Sequence, residues 1–374
     1  MGRLRVGRLL VWVMPTVCVW LAGYAPDVAH HNARQRTSSS PMKYCNRQLA
    51  GTPPFSLAVD REGHLWFTSP GPHGVIVRFT PCGPTRIFSL PRIANPTGSI
   101  VLGPDGNLWF PAAYAIVRMT PQGHLTAFTI SRPDNLQIQA IIVGPDGNLW
   151  FTENYRDSIG VMDMHGRLVH TYVLARLTQP GDVPTLGPSG ITIGPDHAMW
   201  LTEELANKIG RLTLSGHLKG FAGPTCACGE DHSSGVQDIV AGPDGGLWFT
   251  EVNANRIGRI GLDGRIREFP IPSSGSNNTR DPVSLLVGPD GNLWFAEFFA
   301  GKIARVTMDG RVTEFSLPGS GDVPNGTPTI GTVSSLARGK NRRLLFVATN
   351  GFGTISMDGH LVTYFYSHKV VYSG

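Results

Sequence analysis

Two sulfurs, two carboxyls and an imidazole crowd into one seven-residue stretch, Cys226-Ala227-Cys228-Gly229-Glu230-Asp231-His232. Such groups take protons from substrates or hold cations, so His232 and Glu230 are candidate catalytic residues and Asp231 a candidate ligand-binding residue. The same composition also suits a solvated loop pinned by a disulfide. Arg280 and Asp281 form a second candidate group, readable as an anion-binding couple or as a surface ion pair. His73 is the remaining histidine that falls outside the regular turns of the chain. No GxSxG elbow, HExxH pair, P-loop or dinucleotide fingerprint stands in its required context.

Positioning these residues falls to a repeat. The phrase Gly-Pro-Asp-Gly-Asn-Leu-Trp-Phe begins at Gly103, Gly144 and Gly288. Related phrases place Trp66, Trp109, Trp150, Trp200, Trp248 and Trp294 in register, with Phe346 in the seventh place. Their spacing of 41 to 52 residues fits units of four short strands. Alternation and turns in the fifth unit predict strands over 237–241, 247–251, 257–260 and 266–269. Pro-Asp-Gly makes the first turn: Pro presets φ, Asp bonds its own backbone and Gly accepts a positive φ. The pattern predicts an all-β protein, a seven-bladed β-propeller of four-stranded blades.

One Trp per blade after a tight turn is expected to pack between blades, and the repeated Glu153, Glu203, Glu251 and Glu297 are expected to be architecture too. Both turns of a unit then lie at one end, the bottom. The irregular segments 176–188, 222–234, 273–281 and 319–332 lie at the other, which makes the top face the place for binding groups. His64, His124, His165, His197, His217 and His360 belong to bottom turns, whereas His73 and His232 face the top.

The 46 Gly, 29 Pro and 16% charged residues agree with many short strands and turns. Arg3, Arg5 and Arg8 precede an apolar run over residues 9–23, the order of a secretory leader, with an uncleaved anchor as the alternative. The expected division is a leader over 1–25, a linker and N-terminal segment over 26–50, and a propeller over 51–374. From the N-terminal segment, 42–49 could add an outer strand to a neighbouring blade, while 361–365 supplies the last unit's own fourth strand. Five arginines in residues 1–36 against Asp27 account for +4 of the formal +5, so the folded part is near neutral and nucleic acid is not an expected partner. Cys45, Cys82, Cys226 and Cys228 allow three connectivities. Cys45 with Cys82 is the expected pair, leaving Cys226 and Cys228 as a tight bridge or a metal site, for which two thiols are a thin donor set.

The compound repeat also resembles a known family. Gly242-Pro243-Asp244-Gly245-Gly246-Leu247-Trp248-Phe249-Thr250-Glu251, then Asn255-Arg256-Ile257-Gly258-Arg259-Ile260 and Ile266-Arg267-Glu268-Phe269-Pro270-Ile271-Pro272, is similar to the repeats of the virginiamycin B (streptogramin) lyases over roughly residues 51–366. The resemblance implies a seven-bladed propeller that opens type B streptogramin depsipeptides by elimination with Mg²⁺. It implies histidines in Pro-His-Gly-Ile or Pro-His-Ala-Ile segments that open inner strands, and nearby glutamates, to which Glu204 is an approximate match. In this chain those segments read Pro54-Phe55-Ser56-Leu57, Pro96-Thr97-Gly98-Ser99-Ile100, Ile138-Gln139-Ala140-Ile141, Pro188-Ser189-Gly190-Ile191, Val236-Gln237-Asp238-Ile239, Pro282-Val283-Ser284-Leu285 and Val333-Ser334-Ser335-Leu336. None contains a histidine, the base that α-proton abstraction needs.

The leading expectation is an exported monomer that binds a small molecule, peptide or glycan at its top face, touching membrane only through an uncleaved leader. A Mg²⁺-dependent lyase is the second reading, and a purely protein-interaction propeller the third.

Overall fold

The computed structural model of the chain describes residues 54–69, 74–80, 84–91, 94–112, 114–130, 137–174, 187–226, 233–272, 281–317, 331–349 and 351–366. Seven antiparallel sheets of four strands follow one another along it. Blade 1 holds β1 (Ser56–Val59), β2 (Leu65–Ser69), β3 (Val75–Phe79) and β4 (Arg86–Ser89). Blade 2 holds β5 (Val101–Leu102), β6 (Leu108–Ala112), β7 (Ala115–Met119) and β8 (Leu125–Thr129), and blade 3 holds β9 (Ile138–Val143), β10 (Leu149–Glu153), β11 (Ser158–Met162) and β12 (Leu168–Val173). In blade 4 these are β13 (Pro188–Ile193), β14 (Met199–Glu203), β15 (Lys208–Leu212) and β16 (Leu218–Ala222). Blade 5 has β17 (Val236–Ala241), β18 (Leu247–Glu251), β19 (Arg256–Ile260) and β20 (Ile266–Pro270). Blade 6 has β21 (Pro282–Val287), β22 (Leu293–Glu297), β23 (Lys302–Val306) and β24 (Val312–Ser316). Blade 7 closes with β25 (Val333–Arg338), β26 (Arg343–Ala348), β27 (Gly351–Ser356) and β28 (Leu361–Tyr366). The blade 5 strands fall within one residue of the sequence boundaries.

The repeated phrase folds as one device. In blade 5 the turn places Gly245 at φ 75°, and Asp244 Oδ1 accepts from Gly246 N and, at 3.0 Å, from Trp248 Nε1. In blade 4 the left-handed place is filled by His197, φ 59°. Trp66, Trp109, Trp150, Trp200 and Trp294 make the same bond to Asp60, Asp105, Asp146, Asp196 and Asp290. Each indole then stacks on an aromatic of the blade's own outer strand, as Trp248 does on Phe269 at 5.2 Å.

These rings fill the gaps between blades. Seven buried apolar clusters occur, one at every blade junction, and Trp248 packs with Leu293, Phe295 and Val306 of blade 6. Burying such a side chain is worth several kcal/mol, about 25 cal/mol per Å² of apolar surface. The expected architectural role of the tryptophans is therefore observed.

Every blade is made of four consecutive strands, including the last, whose fourth strand is its own β28. Blades 7 and 1 meet through Leu345, Val347 and Phe352 against Leu65, Phe67, Val77 and Phe79. Lys340 Nζ also donates to the Glu62 carbonyl across that seam. The candidate outer strand over 42–49 lies outside the described residues. No helix among the described residues is long and apolar enough to cross a membrane.

Candidate functional site

The inner strands open at the top face, where their first residues ring the axis. Side chains there tie one inner strand to the next. Ser56 Oγ accepts from Ile100 N, Ser99 Oγ from Ile141 N, Asp238 Oδ2 from Leu285 N, and Ser284 Oγ from Leu336 N. The matching residues of blades 3 and 4 are Ala140 and Gly190, which have no such acceptor. Asp238 offsets part of that loss, because its Oδ1 accepts from its own neighbour Ile239 N at 2.9 Å. At the blade 3 and 4 junction a different bond forms: Ser189 Oγ donates to Gln139 Oε1 at 2.7 Å.

Asp238 is the only carboxylate on the seven inner strands. It is only partly exposed, set among the packed inner strands. Burial pushes its carboxyl up to about 6 against the two backbone N–H donors that favour the charge.

The repeated acids end the second strands and are buried: Glu153, Glu203, Glu251 and Glu297 expose 3%, 1%, 0% and 0%. Glu251 is pushed up to about 8, first by burial and then by Glu268 beside it, with Arg256 and Ser234 acting in the opposite sense. Arg256 itself pairs with Glu268 at 2.6 Å, and neither oxygen of Glu251 meets a donor in hydrogen-bonding geometry. Lys302 and Glu314 repeat that pair in blade 6. No ligand can reach groups so enclosed, which agrees with the architectural reading.

Of the candidate site residues, the described part of the chain places two. Glu204 is half-buried at the top of blade 4, its N donating to Gly187 O, and burial raises its carboxyl. Asp281 opens blade 6 in the left-handed region, φ 46°, with a half-buried carboxyl that burial also raises. Blades 4 and 5 have Gly187 and Gly235 at the corresponding point, so Asp281 stores backbone strain that those glycines avoid. Ser284, three residues on, is left-handed as well, φ 55°. Blade 5 stands between Glu204 and Asp281, and the two do not form one site. His73, Glu230, Asp231, His232 and Arg280 lie outside the described residues, as do Cys45, Cys82 and Cys228. Cys226 is described, its sulfur 3.3 Å from Ser233 O.

A Mg²⁺ centre asks for several convergent oxygens. Among the described residues the top face offers no group of three His, Cys, Asp or Glu donors, so its described part does not fit that ion. The one such group, Asp60, Glu62 and His64, lies in a bottom turn with donor atoms within 4.8 Å of one another. Asp60 is already engaged by Trp66 Nε1, His64 N and His64 Nδ1, the blade 1 form of the tryptophan anchor.

Sequence reasoning missed a second row of residues. At the top loop of blades 2, 3, 4 and 6 the apex holds Tyr114, Tyr155, Leu205 and Phe299, exposed by 50%, 66%, 62% and 61%. A large side chain recurring at an exposed apex makes this row a candidate binding surface. The signal was present in the register, two places after the repeated acid, but only the structure shows that the place is exposed.

The Virginiamycin B lyase family model matches residues 19–230 and 182–369. Virginiamycin B lyase from Staphylococcus aureus is similar at 30% identity and TM-score 0.66, over 80% of this chain and 92% of that one. A streptogramin B lyase structure is similar at 28% identity and TM-score 0.65, over 80% and 91%. A catalytically inactive histidine-to-alanine virginiamycin B lyase from Staphylococcus aureus with quinupristin shares 27% identity, TM-score 0.58, over 84% of each chain. No curated protein sequence matches the chain.

Proposed function

The chain belongs to the virginiamycin B lyase family, and from that premise we propose that it is an exported propeller that binds a ligand at its top face without streptogramin lyase chemistry. The observation that carries this reading is the Gln139–Ser189 hydrogen bond. Both residues occupy the family's histidine place on adjacent inner strands, and there they bind each other as neutral groups. Phe55, Gln237, Val283 and Ser334 hold that place in four further blades. None of these side chains takes a proton near neutrality. A relative with one histidine changed to alanine is catalytically inactive, which supports the same conclusion.

Ligands under this reading are small molecules, peptides, glycans or envelope components, held by the exposed apices and the polar mouth. The basic-then-apolar order of residues 3–23 and the even number of cysteines beyond them support an oxidising, extracytoplasmic location. A thermal-shift screen of peptides and oligosaccharides tests it. A hit is expected to weaken when Tyr155 or Phe299 becomes alanine and to ignore Leu262→Ala on the bottom. Indifference to the top-face changes would refute the placement.

A second reading, Mg²⁺-dependent C–O elimination, is favoured by one observation. Asp238, with its carboxyl near 6, is a group in the mouth able to accept a proton at neutral pH. Chelator sensitivity of streptogramin opening would support that reading.

A further inference from the structure

The junction of blades 3 and 4 differs from every other described part of the mouth. The row of side-chain bridges lapses there at Ala140, and the Gln139–Ser189 bond takes its place, whereas at the next junction it lapses at Gly190 and Asp238 bonds Ile239 N instead. Ser189 is buried, and its hydroxyl takes the carbonyl end of the Gln139 amide. The amide nitrogen of Gln139 makes no hydrogen bond among the described residues and is not sealed from solvent, so two donors remain available.

The neighbouring top loops are tied to this point. Asn154 N donates to Gln137 O at 3.0 Å, and Asp157 Oδ1 accepts from Gly187 N at 2.8 Å. Between those anchors stands Tyr155, two-thirds exposed at 66%. No aromatic ring stacks on it among the described residues. From blade 4, Leu205 covers Gly187, where a Cβ would come 2.5 Å from its Cγ. Glu204, half-buried, follows β14 immediately beside it.

We propose that Tyr155, Gln139 and Glu204, with Ser189 positioning Gln139, form a subsite for one pyranose unit of a neutral oligosaccharide. This deepens the top-face reading and rests on it. A pyranose presents an apolar C–H face and an edge of hydroxyls, and it needs one exposed ring beside neutral donors and an acceptor. Tyr155 supplies the ring, the Gln139 amide the donors, and the Glu204 carboxyl an acceptor. A peptide strand would instead ask for a free sheet edge to pair its backbone, and inner strands β9 and β13 are already paired in their blades. The Tyr155 ring and the Gln139 amide are uncharged, which suits a neutral ligand.

Isothermal titration of the full chain with tetramers of glucose, mannose and N-acetylglucosamine tests the assignment. At least one tetramer should bind, and Tyr155→Ala and Gln139→Ala should each weaken it by about tenfold, the loss of one ring contact or one hydrogen bond. Ser189→Ala should weaken it less, and Leu262→Ala not at all. Melting temperature should be unchanged for Tyr155→Ala and somewhat lower for Gln139→Ala, which strands the Ser189 hydroxyl, so titration well below both transitions removes unfolding as an explanation. Failure of all three tetramers, or affinity indifferent to both variants, overturns the subsite. If a peptide binds instead, and loses affinity with Phe299→Ala but not with Tyr155→Ala, the top-face reading stands while this inference falls. If neither class binds at the top, both fall.

Discussion

Glu251 shows how burial, rather than residue type, decides what an acid does. It reads in the sequence as a strand-end glutamate like Glu153 or Glu297, and only packing reveals a carboxyl with Glu268 as its neighbour. Its pKa is raised from 4.5 to about 8, so the folded state holds its proton longer than the unfolded chain. The sign follows: this group's contribution to stability is full below about pH 4.5 and is lost as pH climbs through about 8. Glu251→Gln should flatten the fall of melting temperature with pH across that window. Between about pH 4 and 6 a residual slope should persist from Asp238, which is raised in the same sense. Asp238 is also a brace. Asp238→Ala strands the Leu285 and Ile239 N–H groups and should cost about 1–3 kcal/mol in urea unfolding. Asp238→Ser, the residue other blades use, should recover the bond to Leu285 and part of that loss. That Asp238 answers for Gly190 one blade earlier was not legible in either residue, since the Ile239 N–H it satisfies is the one a serine at position 190 would have bonded across the blade junction.

Elements were the most legible level, because the repeat states each turn and each inward position several times over. The bottom histidines fall in the expected turns, as in Asp60-to-His64 and His197. Less legible was how closely blades approach. Gly147 and Gly166 are both left-handed turn glycines in blade 3, at φ 77° and 83°. A Cβ on Gly147 meets nothing within 4 Å, whereas on Gly166 it would lie 1.9 Å from the Phe128 ring of blade 2. Gly147→Ala should therefore cost only its backbone strain, about 1–2 kcal/mol, and Gly166→Ala a further 1–3 kcal/mol or so from overpacking. Trp248→Ala removes both the indole packing and the bond to Asp244 and should cost about 3–5 kcal/mol. Equilibrium denaturation of the three variants checks the ranking, and equal costs for the two glycines would contradict the interlocking of outer-strand aromatics with the next blade's turn. Blade 2 marks the limit of pattern reading. Its inner strand shortens to Val101–Leu102, with an isolated bridge from Pro96 to Ala112, although its sequence repeats the phrase as faithfully as blade 3.

At the scale of the molecule, blade 7 packs on blade 1 and, among the described residues, completes its sheet with its own four strands. Phe352 sits 5.3 Å from Phe67 and 4.9 Å from Phe79 across the seam. Phe352→Ala should destabilise the ring by about 3–5 kcal/mol and raise hydrogen exchange in β1 and β25 together. Fold and family were legible from the repeat, because a blade's packing is stated by its own residues. The site was legible only in part, because the top loops do not repeat and carry the residues that would distinguish one ligand from another. This propeller has the family's architecture and is proposed to lack its elimination chemistry. The measurement that tests it most directly is chromatography with mass spectrometry of a type B streptogramin incubated with the protein, with and without Mg²⁺, beside an active family lyase. The account predicts an unchanged substrate under both conditions. A product of altered retention and unaltered mass, formed only with Mg²⁺, would show elimination and contradict it.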